Sequence, residues 1–525
     1  IKSGVGDASL VQIDATTGVV KLLAGANFEA KSSYAFTVVA TNAGTGATLV
    51  TEHAVTVTVT DVNEVPTDIT LSATSIAENA GANAALGTLG TVDPDAGTTF
   101  TYTLVAGTGD TDNGSFNISG NQLRATASLD FETKNSYSIR VQAFDQGGLF
   151  TEKAFTITVT DLAVEMAFVM VGDIGNSNDP ATGSLYGAVN YQYQIGTYEV
   201  TIGQYTAFLN AVAQSDPYSL YNVNMGTDLR IAGISREGES GSFTYTVITP
   251  AGITPAGAES PGDRPITYVS WLDAARFANW MHNGQGSSST ETGAYTISTG
   301  VITAASRTNN VNTYTLAAPS TLTVGDQVCV TGLIGMGFNM TGIVTSVSGS
   351  QFTMANTNSD ETATGTGSMT GVSATASGDA LYRLPTENEW YKAAYYSPLL
   401  NAGTGGYYAY AAQSNTAPGN TIGDGANQAN YFAGDDTVTQ SSSFSSSQND
   451  LTNVGAFTNS ASYYGTYDQS GNVREWSDVI GNGSSRGLRG GFWSYDASYL
   501  SSSGRGTGAL SSEDNIAGFR LASPG

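Results

Sequence analysis

The sequence is poor in the residues that most reaction chemistry needs. Cysteine occurs once, at Cys329, and histidine twice, at His53 and His282. A single thiol excludes an intrachain disulfide framework and a thiolate metal cluster. Two imidazoles so far apart in sequence argue against a histidine metal site. Charged residues make up only 12% of the chain, about half the usual quarter. Lys and Arg total 19 against 45 Asp and Glu, a formal charge of -26, which argues against nucleic acid and anionic membrane, where phosphates need basic partners. No apolar run is long enough to span a bilayer and no signal peptide opens the chain. Its start at Ile1, without methionine, reads as that of a processed or partial polypeptide.

What the chain does contain is glycine, serine, threonine and asparagine on a background that is 40% hydrophobic. That combination predicts turn-rich β structure with real cores, and 525 residues exceed what one core holds. The first part is a repeat: Asn27-Phe-Glu-Ala-Lys-Ser-Ser-Tyr34 recurs as Asp130-Phe-Glu-Thr-Lys-Asn-Ser-Tyr137, and Val55-Thr-Val-Thr-Val-Thr-Asp61 as Phe155-Thr-Ile-Thr-Val-Thr-Asp161. The period-two alternation of β-branched residues is a sandwich-strand signal, and a repeat of domain size predicts tandem β-sandwiches. Asp61-Val-Asn-Glu-Val-Pro66, Ala77-Glu-Asn79, Val92-Asp-Pro-Asp-Ala-Gly97, Leu129-Asp-Phe-Glu132 and Ala143-Phe-Asp-Gln-Gly147 then follow in an order that resembles bacterial cadherin-like repeats.

The resemblance covers residues 1 to about 161 and implies a calcium site at the junction. Its ligands would be Glu29, Asp61, Asn63 and Glu64 from the first repeat, with Asp93, Asp95 and Asp145 from the second. Carboxylates gathered from two domain ends and their linker suit calcium's flexible oxygen coordination, and the ion would stiffen the linker. The competing reading is a set of solvated turn carboxylates. Asn27 stands where the family often has Asp. At the far end the second repeat has Glu78, Asp130 and Glu132, but Asp161-Leu-Ala-Val-Glu165 lacks the full linker motif. The first repeat lacks its opening strands, so a partial repeat (1–64) and a full one (65–164) are expected.

From Met166 the pattern changes. Thr201 with Gln204, Ser270 with Asp273, and Thr386 with Glu389 form capping boxes, each followed by apolar residues at spacings of three and four. Three helices are predicted there. Thr197-Tyr-Glu-Val-Thr201, Arg264-Pro-Ile-Thr-Tyr-Val-Ser-Trp271, Tyr382-Arg-Leu-Pro-Thr-Glu-Asn-Glu-Trp390, Gly471-Asn-Val-Arg-Glu-Trp476, Arg489-Gly-Gly491 and Gly518-Phe-Arg520 resemble the formylglycine-generating-enzyme domain, a C-type-lectin-like fold. The expected architecture is therefore multidomain and mainly β: tandem cadherin-like β-sandwiches, then an α+β formylglycine-generating-enzyme-like domain (165–525) with a β-rich insertion (294–380). The runs Thr313-Tyr-Thr-Leu316, Gln327-Val-Cys-Val330, Ile343-Val-Thr-Ser-Val347 and Gln351-Phe-Thr-Met354 predict a small barrel or sandwich for the insertion. Cys329 is expected there as a buried, inert thiol, and the serine-dominated segment 437–449 as an exposed loop.

The resemblance raises the question of activity. Enzymes of that family use a cysteine pair shortly after the Arg-Gly-Gly turn to bind copper and activate oxygen. Here the turn is followed by Phe492-Trp-Ser-Tyr-Asp-Ala-Ser-Tyr-Leu500, with Tyr495 best aligned to the first cysteine and the second falling within Ala497 to Leu500. The related sulfoxide synthases hold iron with several histidines, which this chain lacks. His282 reads as a helix-end residue rather than a base.

What the resemblance does imply is structural calcium at Asn472 and Glu475, with Asn430 as part of a second site and Asp450 its weaker partner. The leading expectation is a non-catalytic protein, extracellular or on the bacterial cell surface, in which calcium-stiffened repeats present a lectin-like domain for adhesion, ligand capture or self-assembly into a surface polymer or filament. Its expected partners are further copies, neighbouring surface proteins or glycans. The alternative is an oxygen-dependent or hydrolytic enzyme on the same fold. Tyr495, Asp496, Tyr499 and Arg505 are the candidates for an exposed binding loop, with core packing or a structural arginine as the competing reading of each.

Overall fold

The computed structural model describes residues 1–525 except 43, 45, 46, 79, 130, 132, 133, 161, 162, 250–259, 374, 444–447 and 482–484. Asp130, Glu132, Asp161 and part of the serine-rich segment thus lie outside the described residues. The chain divides into two units, residues 1–129 with 134–160, and residues 130–133 with 161–525.

Within the first unit the second repeat is a complete sandwich. One sheet orders Asp68–Leu71, Ala85–Val92, Gln122–Ala125 and Phe116–Ser119; the other orders Ser75–Ala77, Phe150–Thr160, Ser136–Phe144 and Thr101–Leu104. Along Ser136–Phe144 every second residue is buried, from Tyr137 through Ile139 and Val141 to Ala143, as period-two alternation demands. The short strand Ser75–Ala77 runs parallel to the end of Phe150–Thr160.

The first repeat has two hairpins instead. Val11–Ile13 pairs with Val20–Leu22, and Ser33–Asn42 pairs with Leu49–Thr58 in an unbroken ten-residue register. Its strand Leu49–Thr58 leaves Leu49, Val50 and Val57 exposed, whereas the corresponding strand of the second repeat buries Ile157 and Val159.

In the second unit the three capping boxes open helices α1 (Ile202–Val212), α2 (Trp271–His282) and α3 (Glu387–Tyr395), each with both reciprocal bonds made. The apolar faces of α1 and α2 meet in an aromatic core of Tyr205, Phe208, Phe277 and Trp280, joined by Phe519 from the C-terminus. Strand Tyr193–Gly196 lies between Phe168–Val171 and Ala522–Pro524, so the two ends of the domain close on each other. A second sheet orders Gly506–Gly508, Ser485–Arg489, Arg474–Gly481 and Ala517–Gly518. This sheet and α3 carry the residues discussed below.

The insertion is a closed barrel. Its strands order Val311–Leu316, Gln351–Ala355, Thr341–Ser348, Gln327–Thr331, Gly367–Val372 and Ile297–Thr308, and the last pairs back to the first. Tyr314, Val328, Val344, Phe352 and Met369 fill the interior. The barrel is anchored to its host by Ile297 and Val372, which sit in the host core, and by Arg486 Nε, which donates to Gln327 Oε1 at 2.8 Å. Cys329 departs from expectation. Val328 and Val330 point into the barrel, so strand alternation turns the cysteine between them outward, where it is half-buried.

Candidate functional site

At the repeat junction four side chains converge: carboxylate oxygens of Glu29, Asp61, Glu64 and Asp95 all lie within 4.8 Å of one another. The linker is folded onto the second repeat by its own polar groups. Glu64 N–H donates to Asp95 Oδ2 at 2.9 Å, and Asp95 N–H to Asp93 Oδ1 at 2.8 Å. Asn63 Nδ2 donates to Asp145 Oδ2 at 2.7 Å, while Asp145 Oδ1 accepts from Leu149 N–H. Of the seven residues expected at the junction, four therefore share one site, Asp93 supports it from behind, and Asn63 and Asp145 brace each other at its edge.

The electrostatics of this cluster are unfavourable without a counter-charge. Sharing a hydrogen bond with Asp95, then burial, then the charges of Glu29, Asp95 and Asp61 push the Glu64 carboxyl up to about 7. Glu64 Oε2, Asp93 Oδ2 and Asp95 Oδ1 are buried oxygens without a hydrogen-bond partner. Among the described residues no lysine or arginine pairs with any of the four carboxylates. Bare hard oxygens of one sign are the donor set a calcium-sized dication requires, so the residues fit the ion that cadherin domains generally bind.

The expected calcium residues of the C-terminal domain have other partners. Glu475 is fully buried, and Arg520 grips both its oxygens, Nε to Oε2 at 2.5 Å and Nη2 to Oε1 at 2.7 Å. Trp390 Nε1 adds a third bond at 2.8 Å. A dication at Glu475 would compete with that guanidinium, so this arrangement fits an ion pair rather than a metal ligand. Asn472, in the left-handed region with φ of 59°, accepts from Asn430 Nδ2 at 2.9 Å through its Oδ1. Asn430 also donates to the Asp450 carbonyl, and the Asp450 carboxylate is held by Arg230 Nε at 3.0 Å. These side chains cross-link loops directly.

The proposed binding loop borders a cavity of about 210 Å³ lined by Arg474, Arg489, Phe492, Tyr495, Tyr499 and Arg505 among others. Three of the four expected residues thus reach one space. Asp496 does not: its Oδ1 accepts from Ser498 N–H and Oγ, capping the turn it begins. Arg505 is both liner and brace, donating through Nε and Nη2 to the two oxygens of Glu387. Arg489 Nε donates to the same Glu387 at 2.7 Å, and its Nη1 holds the carbonyls of Ser502 and Gly504.

Glu387, Arg474 and Phe492 were not expected at a site. Their signal in the sequence is the crowding of five arginines between Arg474 and Arg520 in a chain with 19 basic residues. Glu199 gave no signal at all. It is buried, neither oxygen has a hydrogen-bond partner, and burial with the charges of Asp468 and Glu475 raises its carboxyl well above the usual range. The two lone chemical candidates are structural: His282 Nδ1 accepts from Leu381 N–H at 3.0 Å, and Cys329 lies on the barrel.

Residues 72–160 match the cadherin domain and residues 164–524 the sulfatase-modifying factor enzyme 1-like domain. No curated protein matches the chain. Among solved structures, CarF is similar at 17% identity over 69% of this chain and 99% of its own, with a TM-score of 0.32. The Treponema denticola variable protein 1 is similar at 16% identity over 70% and 98%, with a TM-score of 0.28. A two-domain fragment of chicken VE-cadherin is 20% identical over 29% of this chain and 79% of its own, with a TM-score of 0.22. Among the described residues no helix is long and apolar enough to cross a membrane. With more than half its length matched, the chain belongs to the sulfatase-modifying factor enzyme 1-like family and carries a cadherin domain ahead of that domain.

Proposed function

We propose that this protein is a non-catalytic extracellular binding protein, in which calcium at the repeat junction stiffens the cadherin part and the C-terminal domain captures a ligand or a neighbouring chain. The observation that carries the reading is the loop after Arg489-Gly-Gly491. Exposed tyrosines, Tyr495 and Tyr499, border its cavity in the segment where the resemblance to formylglycine-generating enzymes would place a cysteine pair, the first at Tyr495 and the second within Ala497 to Leu500, and the chain's one cysteine lies on the inserted barrel instead. An aromatic rim suits reversible, hydrogen-bonded contact with glycans or protein surfaces.

Calcium would be held by Glu29, Asp61, Glu64 and Asp95, supported by Asp93, Asn63 and Asp145. When bound it supplies the positive charge that lets these carboxylates stay ionised together. The residues themselves fasten the linker to the second repeat, through Glu64 N–H on Asp95 and Asn63 on Asp145. With the ion also held by Glu29, the linker would be tied to the first repeat as well, which is what presentation of a distal domain, or assembly into a polymer, requires.

Metal analysis combined with small-angle scattering of the full chain tests the proposal. The expected result is bound calcium without copper or iron, and a larger radius of gyration spread after chelation. Stoichiometric copper or iron in a preparation that consumes oxygen would overturn it in favour of an enzyme.

A further inference from the structure

A second feature of the same cavity is its charge. The chain carries a formal charge of -26, yet three of its 19 basic residues, Arg474, Arg489 and Arg505, line this one space of about 210 Å³. Their counter-ions do not balance them. Glu387 is shared between Arg489 and Arg505, and Asp514 accepts from Arg474 Nη2 at 2.5 Å. Three guanidiniums therefore face two carboxylates, and one positive charge is left over.

Donors are left over as well. Arg489 gives Nε to Glu387 and Nη1 to two backbone carbonyls, and its buried Nη2 is ion-paired with the same Glu387 at 2.7 Å. Arg505 spends Nε and Nη2 on Glu387, and its Nη1 has no hydrogen bond among the described residues. Arg474 Nη1 is likewise free of hydrogen bonds, and its Nε is buried without an acceptor. Aromatic rings make up another part of the lining. Tyr495 and Tyr499 pack edge to face with centroids 4.7 Å apart, and Phe492 backs Tyr495 at 4.6 Å. Both tyrosines are nearly half exposed, at 46% and 47%, and neither hydroxyl is hydrogen-bonded within the described residues.

We propose that this cavity binds the terminal residue of an acidic saccharide, with the sugar carboxylate on Arg474 and Arg505 and the ring's C–H face against Tyr495 and Tyr499. The inference rests on the ligand-capture reading above and adds the chemical class of the ligand. A planar guanidinium matches a carboxylate bidentately, and an aromatic face with a free hydroxyl matches a pyranose, which is apolar on its faces and polar at its edge. The space is below the usual range for drug-sized ligands, so it suits one ring. The single surplus charge matches one carboxylate, and the strongly negative chain around it repels polyanions such as nucleic acid.

Two matched pairs of probes test this on the full chain by calorimetry at low ionic strength. They are 3′-sialyllactose against lactose, and a glucuronate-terminated disaccharide against its carboxyl-reduced form. The expected result is that at least one acid binds tenfold or more tightly than its neutral partner. That preference should shrink with added salt and vanish in Arg505→Gln and Arg474→Gln, while Tyr499→Ala weakens the acid and the neutral sugar alike by fivefold or more. Thermal unfolding identifies any arginine variant that fails to fold. In that case Tyr499→Ala, at an exposed position, carries the test. Equal binding of acid and neutral partners would overturn the inference and leave the ligand-capture reading standing. Absence of binding by both acids, or binding unchanged in Tyr499→Ala, would overturn it too, whereas redox-metal turnover would sink the underlying reading by a separate measurement.

Discussion

The repeat junction gathers Glu29, Asp61, Glu64 and Asp95 with no basic partner among the described residues, whereas the C-terminal core gives Glu475 a guanidinium on both oxygens and an indole besides. Both places concentrate negative charge. The junction lies at the surface, with Glu29 and Asp61 exposed, so its counter-charge can come and go with the medium. Glu475 and Arg520 are out of reach of solvent, so their counter-charge had to be built into the chain. Neutralisation from outside would make the linker's stiffness depend on calcium, as proposed above, whereas a carboxylate neutralised internally needs no ion.

The largest expected effect follows from breaking the internal pair. Glu475→Gln leaves Arg520 buried with half its partner gone, and removal of one member of a buried ion pair costs about 3–5 kcal/mol. Chemical denaturation should report that loss in the C-terminal domain, with or without calcium. A loss that appears only in calcium would instead make Glu475 a metal ligand. At the junction Asp95→Asn removes one of the four converging oxygens and relieves repulsion, so little should change in chelator. The variant should forfeit the calcium-linked gain, about 2.7 kcal/mol at free calcium a hundred times the dissociation constant. Differential scanning calorimetry of the cadherin part, with and without calcium, separates the two terms.

How much of this contrast the sequence could reveal depends on the distance over which each feature acts. The helix starts were legible because a capping box is local, three residues from Thr201 to Gln204 or from Thr386 to Glu389. The barrel strands were legible from alternation, although the closure of the sheet by Ile297–Thr308 on Val311–Leu316 was not. The junction residues were legible because a family resemblance fixed their order. The ion pairs were not. Glu387 meets Arg489 and Arg505 across more than a hundred residues, and Glu475 meets Arg520 across 45, so no local pattern distinguishes them from surface charges. Cys329 shows the same limit at short range: alternation said that it and its valine neighbours face opposite ways, and only the packed barrel said which way was in.

A smaller effect is expected from pH, and it sharpens the contrast between compensated and uncompensated burial. Burial, then the Glu513 charge, pushes the Asp273 carboxyl up to about 7, and burial pushes Asp468 up to about 6. Both lie above the ordinary value of about 3.8 that they regain on unfolding. The folded domain therefore binds more protons than the unfolded chain between those values, and its stability falls as pH rises from about 4 through 6 to 7. Thermal unfolding of the C-terminal domain should show a melting temperature a few degrees higher at pH 5 than at pH 7.5. The opposite slope would mean that these carboxyls are ionised and paired in the folded state.

The smallest expected effect is at Glu199, and it asks whether every buried carboxylate near Arg520 is charged. Burial dominates its titration, Asp468 and Glu475 add repulsion, and Arg520 only partly opposes them, so its carboxyl is held well above the usual range. Arg520 has its Nε and Nη2 on Glu475 and its Nη1 on the carbonyls of Gly196 and Thr197, which leaves nothing to hold a second carboxylate. Glu199→Gln keeps the shape of the side chain and removes its ionisation. The change in stability at pH 7 should stay within about 1 kcal/mol, the scale of a single neutral hydrogen bond, against the several expected for Glu475→Gln. Because the parent carboxyl has a raised folded pKa, the parent loses stability as pH rises above its ordinary value of 4.5 while the glutamine variant does not, so the balance should move toward the variant as pH rises. A loss at Glu199→Gln as large as that at Glu475→Gln, independent of pH, would place a second ionised carboxylate in the core and erase the distinction between one satisfied charge and one suppressed charge.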